Sequence, residues 1–435
     1  MTTLAEPTSS LIAEPMTVAD LGLDRGVLLD LVLKTLFYRG RMTRNELADE
    51  LKLSGAILQE VTQALTMDAL ASVLGAEGSG PAGYMYALTQ KGLERAEGAF
   101  NRSGYVGPAP VPLADYVAQV GMQSIRDARS TREQVNQALE NLVLNEQTLS
   151  RVGRAAASRK ATLVYGASGN GKTTIVRALA DVMEGTVLIP YAIEMVGQIV
   201  HLYDPSKHQV VEDDARGTEE NLLRARHDRR WVRVRRPVVW TGGELTRQSL
   251  ELMYDESSKV YEAPLQLKAN GGVLIIDDFG RQQMPAVALL NRWIVALEGG
   301  LDHLTLHTGQ VIEVPFDVLL LFSTNLPPDR LADEAFLRRI RYKVEVPNPS
   351  HDEYRQIFRR ECERQGVPYD EDAVSHVMYA WYEQHNRELR GCHPRDLIDA
   401  IVDVARYDEQ QPRLTPAALD EVCTTYFLKP MNAPS

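Results

Sequence analysis

The stretch "LVYGASGNGKTT", residues 163–174, decides how the rest of the chain is read. Gly166, Ala167, Ser168, Gly169, Asn170, Gly171, Lys172 and Thr173 match the pattern GxxxxGK[ST] residue for residue, and Thr174 follows. The flanks matter as much as the match. "ATLVY" before it has the look of a short apolar strand, and "TTIVRALADVM" after it has the period of a helix. Between a strand and a helix, the glycines let backbone N–H groups turn inward around phosphate oxygens, and the helix N-terminus adds partial positive charge. Lys172 is then expected to reach the β- and γ-phosphates, and the Thr173 hydroxyl to ligate Mg²⁺. A chance glycine-rich loop with a solvated lysine would need neither flank.

The partner of such a loop is an acidic residue at the end of a neighbouring buried strand. "GGVLIIDDFG", residues 271–280, supplies it: Val273 to Ile276 are continuously apolar, as in a strand buried on both faces. Asp277 and Asp278 emerge at its C-terminal end, where open α/β sheets place their ligands. By position Asp277 is the metal-coordinating carboxylate and Asp278 the group that polarises the attacking water. Two carboxylates capping a turn would be the plainer alternative.

From here the chain resembles the AAA+ ATPases. "VLLLFSTN", residues 318–325, looks like their sensor 1 strand, with Asn325 placed to orient the lytic water and Thr324 as a weaker candidate. "DEAFLRRIRYKVEV" is similar to the segment carrying the arginine finger, which makes Arg339 the finger and Arg338 its reserve. "GCHPRDLIDA" resembles the sensor 2 motif at the start of a lid helix and gives Arg395 to the γ-phosphate. Any one of these arginines alone reads as a solvated surface charge; the motifs gain weight from occurring in the expected order. The resemblance covers about residues 131–428. It implies ATP as cofactor with Mg²⁺, a homo-oligomer in the form of a hexameric ring, and remodelling of a partner macromolecule. Two departures stand out. Asp277-Asp278 replaces the family's Asp-Glu, which points to slow or tightly gated hydrolysis, and more than a hundred residues separate Lys172 from Asp277, so an insertion lies between them.

Composition sets the outer bounds. At 435 residues the chain is too long for one ordinary core, and 44% apolar with 24% charged residues is the make-up of a globular protein. No run reaches the ~18 apolar residues of a membrane-spanning helix, and the N-terminus lacks the order of a secretory signal. A cytoplasmic protein without membrane insertion is expected. Three cysteines, Cys362, Cys392 and Cys423, form no CxxC pair, which excludes a disulfide framework and a zinc site. The net charge of −12 argues against coating nucleic acid by bulk electrostatics.

Residues 1–20 are expected to form a disordered tail, 21–100 a winged-helix-like α+β domain, 101–130 a Pro- and Gly-rich linker, 131–348 the core that resembles AAA+ ATPases, and 349–435 a helical lid. The core is expected to be a parallel α/β sheet with helices on both faces. In the first domain, "VLLDLVLKTLF", "TRNELADEL" and "GAILQEVTQALTMDAL" predict three helices, with Thr43 and Ser54 as N-caps, before two short strands and a fourth helix. The third helix has no Lys or Arg. Over residues 21–98 eight basic and ten acidic side chains leave a balance of −2. Protein docking is therefore favoured over DNA binding for this domain.

In the insertion, "LLRARHDRRWVRVRRP" crowds Arg224, Arg226, Arg229, Arg230, Arg233, Arg235 and Arg236 around Trp231. Alternation in "WVRVRR" would line arginines along one strand face, fit to grip phosphates, with Trp231 free to stack. A solvated hairpin or a subunit contact is the favoured alternative. "MYDESSKVYEAPLQLKANGG" sits where AAA+ rings carry target-contacting loops, which nominates Tyr254 and Tyr261; core packing explains them equally well. The run from "WTGGEL" through "YEAPLQLKANGGVLIIDDFGRQ" also resembles a bacterial group described as predicted ATPases with chaperone activity, associated with Flp pilus assembly. An ATP-hydrolysing ring protein that remodels a protein partner is thus the leading expectation. A DNA-binding AAA+ ATPase serving regulation, replication or transposition, or a slow nucleotide switch, are the alternatives.

Overall fold

Thr43 and Ser54 show how local chemistry starts the fold. The Thr43 hydroxyl accepts from the Glu46 amide at 3.2 Å while Glu46 returns a bond to the Thr43 amide at 2.7 Å, a complete capping box for helix Arg44–Leu51. Ser54 accepts from Ile57 at 3.4 Å and opens helix Gly55–Met67. A computed structural model describes residues 12–76, 81–126, 130–211, 227–331 and 334–427 of the chain. They form two compact units: the first draws on Met1–Ala128, Met183–Leu274 and Ala288–Leu319, the second on Arg129–Val182, Ile275–Val287 and Leu320–Ser435.

The first unit begins with helices Arg25–Arg39, Arg44–Leu51 and Gly55–Met67, strands Ala71–Ala76 and Tyr84–Leu88, and helix Gln90–Arg102. Strand Arg41–Thr43 joins the other two in the order (41–43)-(84–88)-(71–76). Leu28, Leu31, Leu36, Leu47, Leu58 and Leu65, spaced at helical periods, fill the core beneath. Residues 12–20, read from sequence as tail, contain a turn in which Asp20 accepts from the amides of Met16 and Thr17. The stretch read as linker packs as well. Ala109 and Val111 are fully buried, the Ala109 amide donates to Leu51 O at 2.8 Å, and Val111–Pro112 pairs in parallel with Ala192–Met195. Proline prevents a helix there but tolerates an extended segment, and burial of the small apolar residues between the prolines fixes it.

The insertion between Lys172 and Asp277 belongs to this first unit. A five-stranded sheet runs (253–255)-(260–262)-(198–201)-(192–195)-(111–112), and two-stranded ladders join Thr186–Pro190 to Trp231–Arg235 and Leu301–Thr305 to Val311–Pro315. Along the arginine-rich strand alternation leaves Arg233 half-buried and Arg235 exposed, while its tryptophan and the arginines beyond its ends are taken up by the fold. Trp231 is 5% exposed and packs in the core, so it is not available to stack on a base. Arg230 lies buried in an ion pair with Asp228 at 2.8 Å, Arg229 pairs with Asp49 at 2.7 Å, and Arg236 donates to Gly271 O at 2.6 Å. Arg235 is exposed. Arg224 and Arg226 lie outside the described residues. Tyr261 is buried, while half-buried Tyr254 stacks on His307 with ring centroids 4.2 Å apart.

In the second unit the strand order is (273–276)-(319–324)-(162–166)-(342–346). Leu319–Thr324 and Tyr342–Val346 both run parallel to Thr162–Gly166, with Ser323 opposite Val164 and Val346 opposite Gly166. "VLII" and "LLLFST" are buried at every position, the signature of strands covered on both faces. Helix Lys172–Asp181 packs on Thr162–Gly166 and helix Glu146–Ser158 on Tyr342–Val346. Helices His351–Gln365, Glu371–Val377, His393–Tyr407 and Pro416–Tyr426, with a π-helical turn over Met378–Glu383, enclose a core of Tyr354, Phe358, Cys362, Leu397, Leu419 and Val422. Among the described residues, no helix is long and apolar enough to cross a membrane.

Candidate nucleotide site

The phosphate loop leaves strand Thr162–Gly166 and enters helix Lys172–Asp181, with Gly171 at the N-cap. Gly166 has φ 145°, and a Cβ there would lie 2.3 Å from Val346 O, so the neighbouring strand leaves room for glycine alone. Inside the loop Lys172 is 6% exposed, and its ammonium donates to Ala167 O at 2.9 Å and to the Asn325 side chain. Burial lowers the Lys172 pKa; the opposing charges of Asp278 and Asp277 sustain its ammonium, and those of Arg390 and Arg281 act against it.

The acidic strand delivers Asp277 and Asp278 to the same place. Thr173 Oγ1 donates to the two Asp277 oxygens at 3.2 and 3.1 Å. Ser323 also donates to Asp277, and the Asp278 amide does so at 3.1 Å. Asp278 adopts φ 49°, a left-handed conformation that a β-carbon disfavours and that Asp tolerates better than most residues. Asn325 Nδ2 donates to the Asp278 carboxylate at 3.3 Å. Gln282 fixes the turn, donating to the carbonyls of Asp277 and Asp278 at 3.0 and 3.2 Å and accepting from Gly280 at 2.7 Å.

Lys172, Thr173, Asp277, Asp278 and Asn325, which the sequence nominates separately, thus meet at the ends of three neighbouring strands. Thr324 does not join them: it is fully buried and spends its hydroxyl on Phe279 O at 2.7 Å. Arg339 is half-buried in the turn between helix Glu334–Leu337 and strand Tyr342–Val346. Arg395 has a side chain 55% exposed and is held by Asp396 at 2.9 Å. Ser323 escaped the sequence reading, although it breaks the apolar run of its strand two positions before Asn325.

Thr173 and Asp277 offer a hydroxyl and a carboxylate, oxygen donors that fit a hard divalent cation. Beside the loop lies a pocket lined by Val143, Leu144, Asn170, Val346, Asn348 and Ile357. The fold and site together define a phosphate-loop α/β unit followed by a helical C-terminal segment.

That helical segment matches a protein family described as a domain of unknown function, DUF8689, over residues 350–425. No curated protein sequence matches the chain. Among solved structures, NtrX from Brucella abortus aligns at 16% identity with a TM-score of 0.40, over 66% of this chain and 55% of that one. Its complex with ADP gives a TM-score of 0.41 at 16% identity, over 79% and 68%. The RuvB Holliday junction branch migration motor of Thermotoga maritima gives 0.34 at 14% identity, over 68% and 70%. The chain spans about half the length of the first of these. At such identities and superpositions, no role passes from those proteins to any residue here.

Proposed function

We propose that the chain is a Mg²⁺-dependent ATPase of the AAA+ kind, acting as a homo-oligomeric ring, hexameric by the family's resemblance, that remodels a protein partner. The observation that carries this reading is the convergence of Lys172, Thr173, Asp277, Asp278 and Asn325 on one strand-end edge beside the phosphate loop. Lys172 binds the β- and γ-phosphates, with backbone N–H groups of Gly169 to Thr174 around them. Thr173 and Asp277 would hold magnesium, which supplies charge neutralisation on the phosphates. Ser323 orients Asp277. Asp278 polarises the attacking water, and Asn325 orients both. The pocket of Val143, Leu144 and Ile357 receives the base. Arg339, from a neighbouring copy, meets the charge that develops on the transferred phosphoryl group.

The order of helices and strands over residues 25–102 supports a winged-helix reading of that region. Its third helix exposes Gln59, Glu60, Gln63 and Met67 and no basic residue, which favours a protein over duplex DNA as the docked partner.

Two variants of the full chain test this. Lys172→Ala should weaken ATP binding about 100-fold, the order expected for one charge-assisted contact. Arg339→Ala should lower turnover by about 1,000-fold while ATP binding persists, and wild-type turnover per chain should rise with protein concentration. Unchanged affinity in the first variant, or unchanged turnover in the second, rejects the corresponding role. ATPase stimulation by DNA with a steep salt dependence would replace the protein partner with a nucleic acid.

A further inference from the structure

Away from the nucleotide site, three parts of the first unit enclose a cavity of about 450 Å³. They are the stretch from Ile12 to Asp20, one face of helix Leu113–Met122, and the turn that leads into strand Trp231–Arg235. Backbone bonds sew these distant pieces together. Ala13 bridges His227, the Asp228 amide donates to Ile12 O at 2.9 Å, and the Arg230 guanidinium donates to Pro110 O at 3.1 Å. On the helix, Asp115, Ala118, Gln119 and Met122 lie three and four residues apart and so share the face that lines the cavity.

The lining is acidic. Glu14, Asp20, Asp115 and Asp228 stand against one guanidinium among the described lining residues, that of Arg230, and Asp228 consumes it at 2.8 Å. Asp20 is engaged by the amides of Met16 and Thr17. Among the described residues, neither Glu14 nor Asp115 has a hydrogen-bond partner. Partial burial pushes the Asp115 carboxyl up, an effect that Arg230 opposes and Asp228 reinforces.

A second observation is independent of the acids. Gln119, 3% exposed, gives its amide nitrogen to Gln123 at 3.0 Å, while its Oε1 has no hydrogen-bond partner among the described residues. A buried acceptor left in that state calls for a donor from outside the chain. Trp231 and Met122 line the same cavity, an apolar wall that suits an aliphatic stem better than a hydrated metal ion. Among the described residues, no group of three or more His, Cys, Asp or Glu is placed to hold a metal.

We propose that this cavity binds an organic cation, an ammonium or guanidinium head on an aliphatic stem, with Glu14, Asp115 and the Gln119 carbonyl as its acceptors. The inference goes beyond the ATPase reading and does not depend on it, because none of these residues belongs to the nucleotide site.

The test titrates the full chain with N-acetylarginine amide and with a short acetylated Arg-Gly peptide, using uncharged N-acetylcitrulline amide as control, and reads binding by calorimetry. A cationic probe should bind, and the citrulline compound at least about 10-fold more weakly. Asp115→Asn and Glu14→Gln should each weaken binding about 10-fold, with the unfolding midpoint and ATP affinity unchanged, because neither carboxylate is buried. Gln119→Met should weaken it about 3-fold or more. Binding of the free arginine compound would assign the site to a small molecule, and binding of the peptide alone to a side chain presented by a protein. Binding of neither probe at millimolar concentration overturns the proposal, as do equal binding of the citrulline compound, unchanged affinity in both carboxylate variants, or displacement by equimolar Mg²⁺.

Discussion

Two stretches of this chain concentrate groups that can grip phosphate, and folding treats them oppositely. In residues 163–174 the decisive donors are backbone amides and one lysine, held between a strand and a helix adjacent in sequence. Their partners, Asp277 and Asn325, arrive from strand ends of the same unit and leave Thr173 and Asp278 exposed. In residues 229–236 five arginines surround Trp231, yet Arg230 and Arg236 are spent on a buried carboxylate and on backbone carbonyls, and the tryptophan is core. A backbone-built anion cradle keeps its chemistry wherever its short segment folds. A row of long cationic side chains takes its meaning from whatever lies within reach.

Three substitutions would break or sharpen that contrast. The largest effect is expected from Arg230→Ala, which strands Asp228 as a buried unpaired charge and should cost about 3–5 kcal/mol in chemical denaturation. Replacing both members by leucine and methionine should cost far less. A mild effect of the single variant would mean that Arg230 is available for binding after all. Next, Ser323→Ala should cut ATP turnover about tenfold, some 1.4 kcal/mol of barrier, with the unfolding midpoint nearly unchanged, because it removes one of the donors orienting Asp277. A stability loss without a turnover loss would make Ser323 a packing residue. Smallest is Arg235→Ala, exposed at the end of its strand, where stability should stay within about 0.5 kcal/mol. A larger loss would mean that this one exposed arginine carries structural load as well.

Much of the fold could be read directly. The caps at Thr43 and Ser54, the strands 273–276 and 319–324, and the helical C-terminal segment all follow from patterns a few residues long. Less legible was the first unit's second sheet, because its ladders join residues far apart in the chain, such as Val111 to Ile193 and Tyr261 to Val200. For the same reason the Pro-rich stretch 104–112 looked like a linker, whereas its small apolar residues are buried under elements from elsewhere. At the site, Asp277, Asp278 and Asn325 were visible as polar residues closing apolar strands. Ser323 and Gln282 were not, since each acts through a contact rather than a motif.

By itself the sequence determined the glycine-rich turn between strand and helix and the buried strands beside it, because a strand, three glycines, a lysine and a helix start within twenty residues leave the backbone few alternatives. Tertiary structure alone decided how the loop is tied to the helical segment and which arginines are consumed as pairs. Those choices depend on bonds such as that from Gly391 to Asn170, across 221 positions of chain, where side-chain reach and burial, not local propensity, set the outcome.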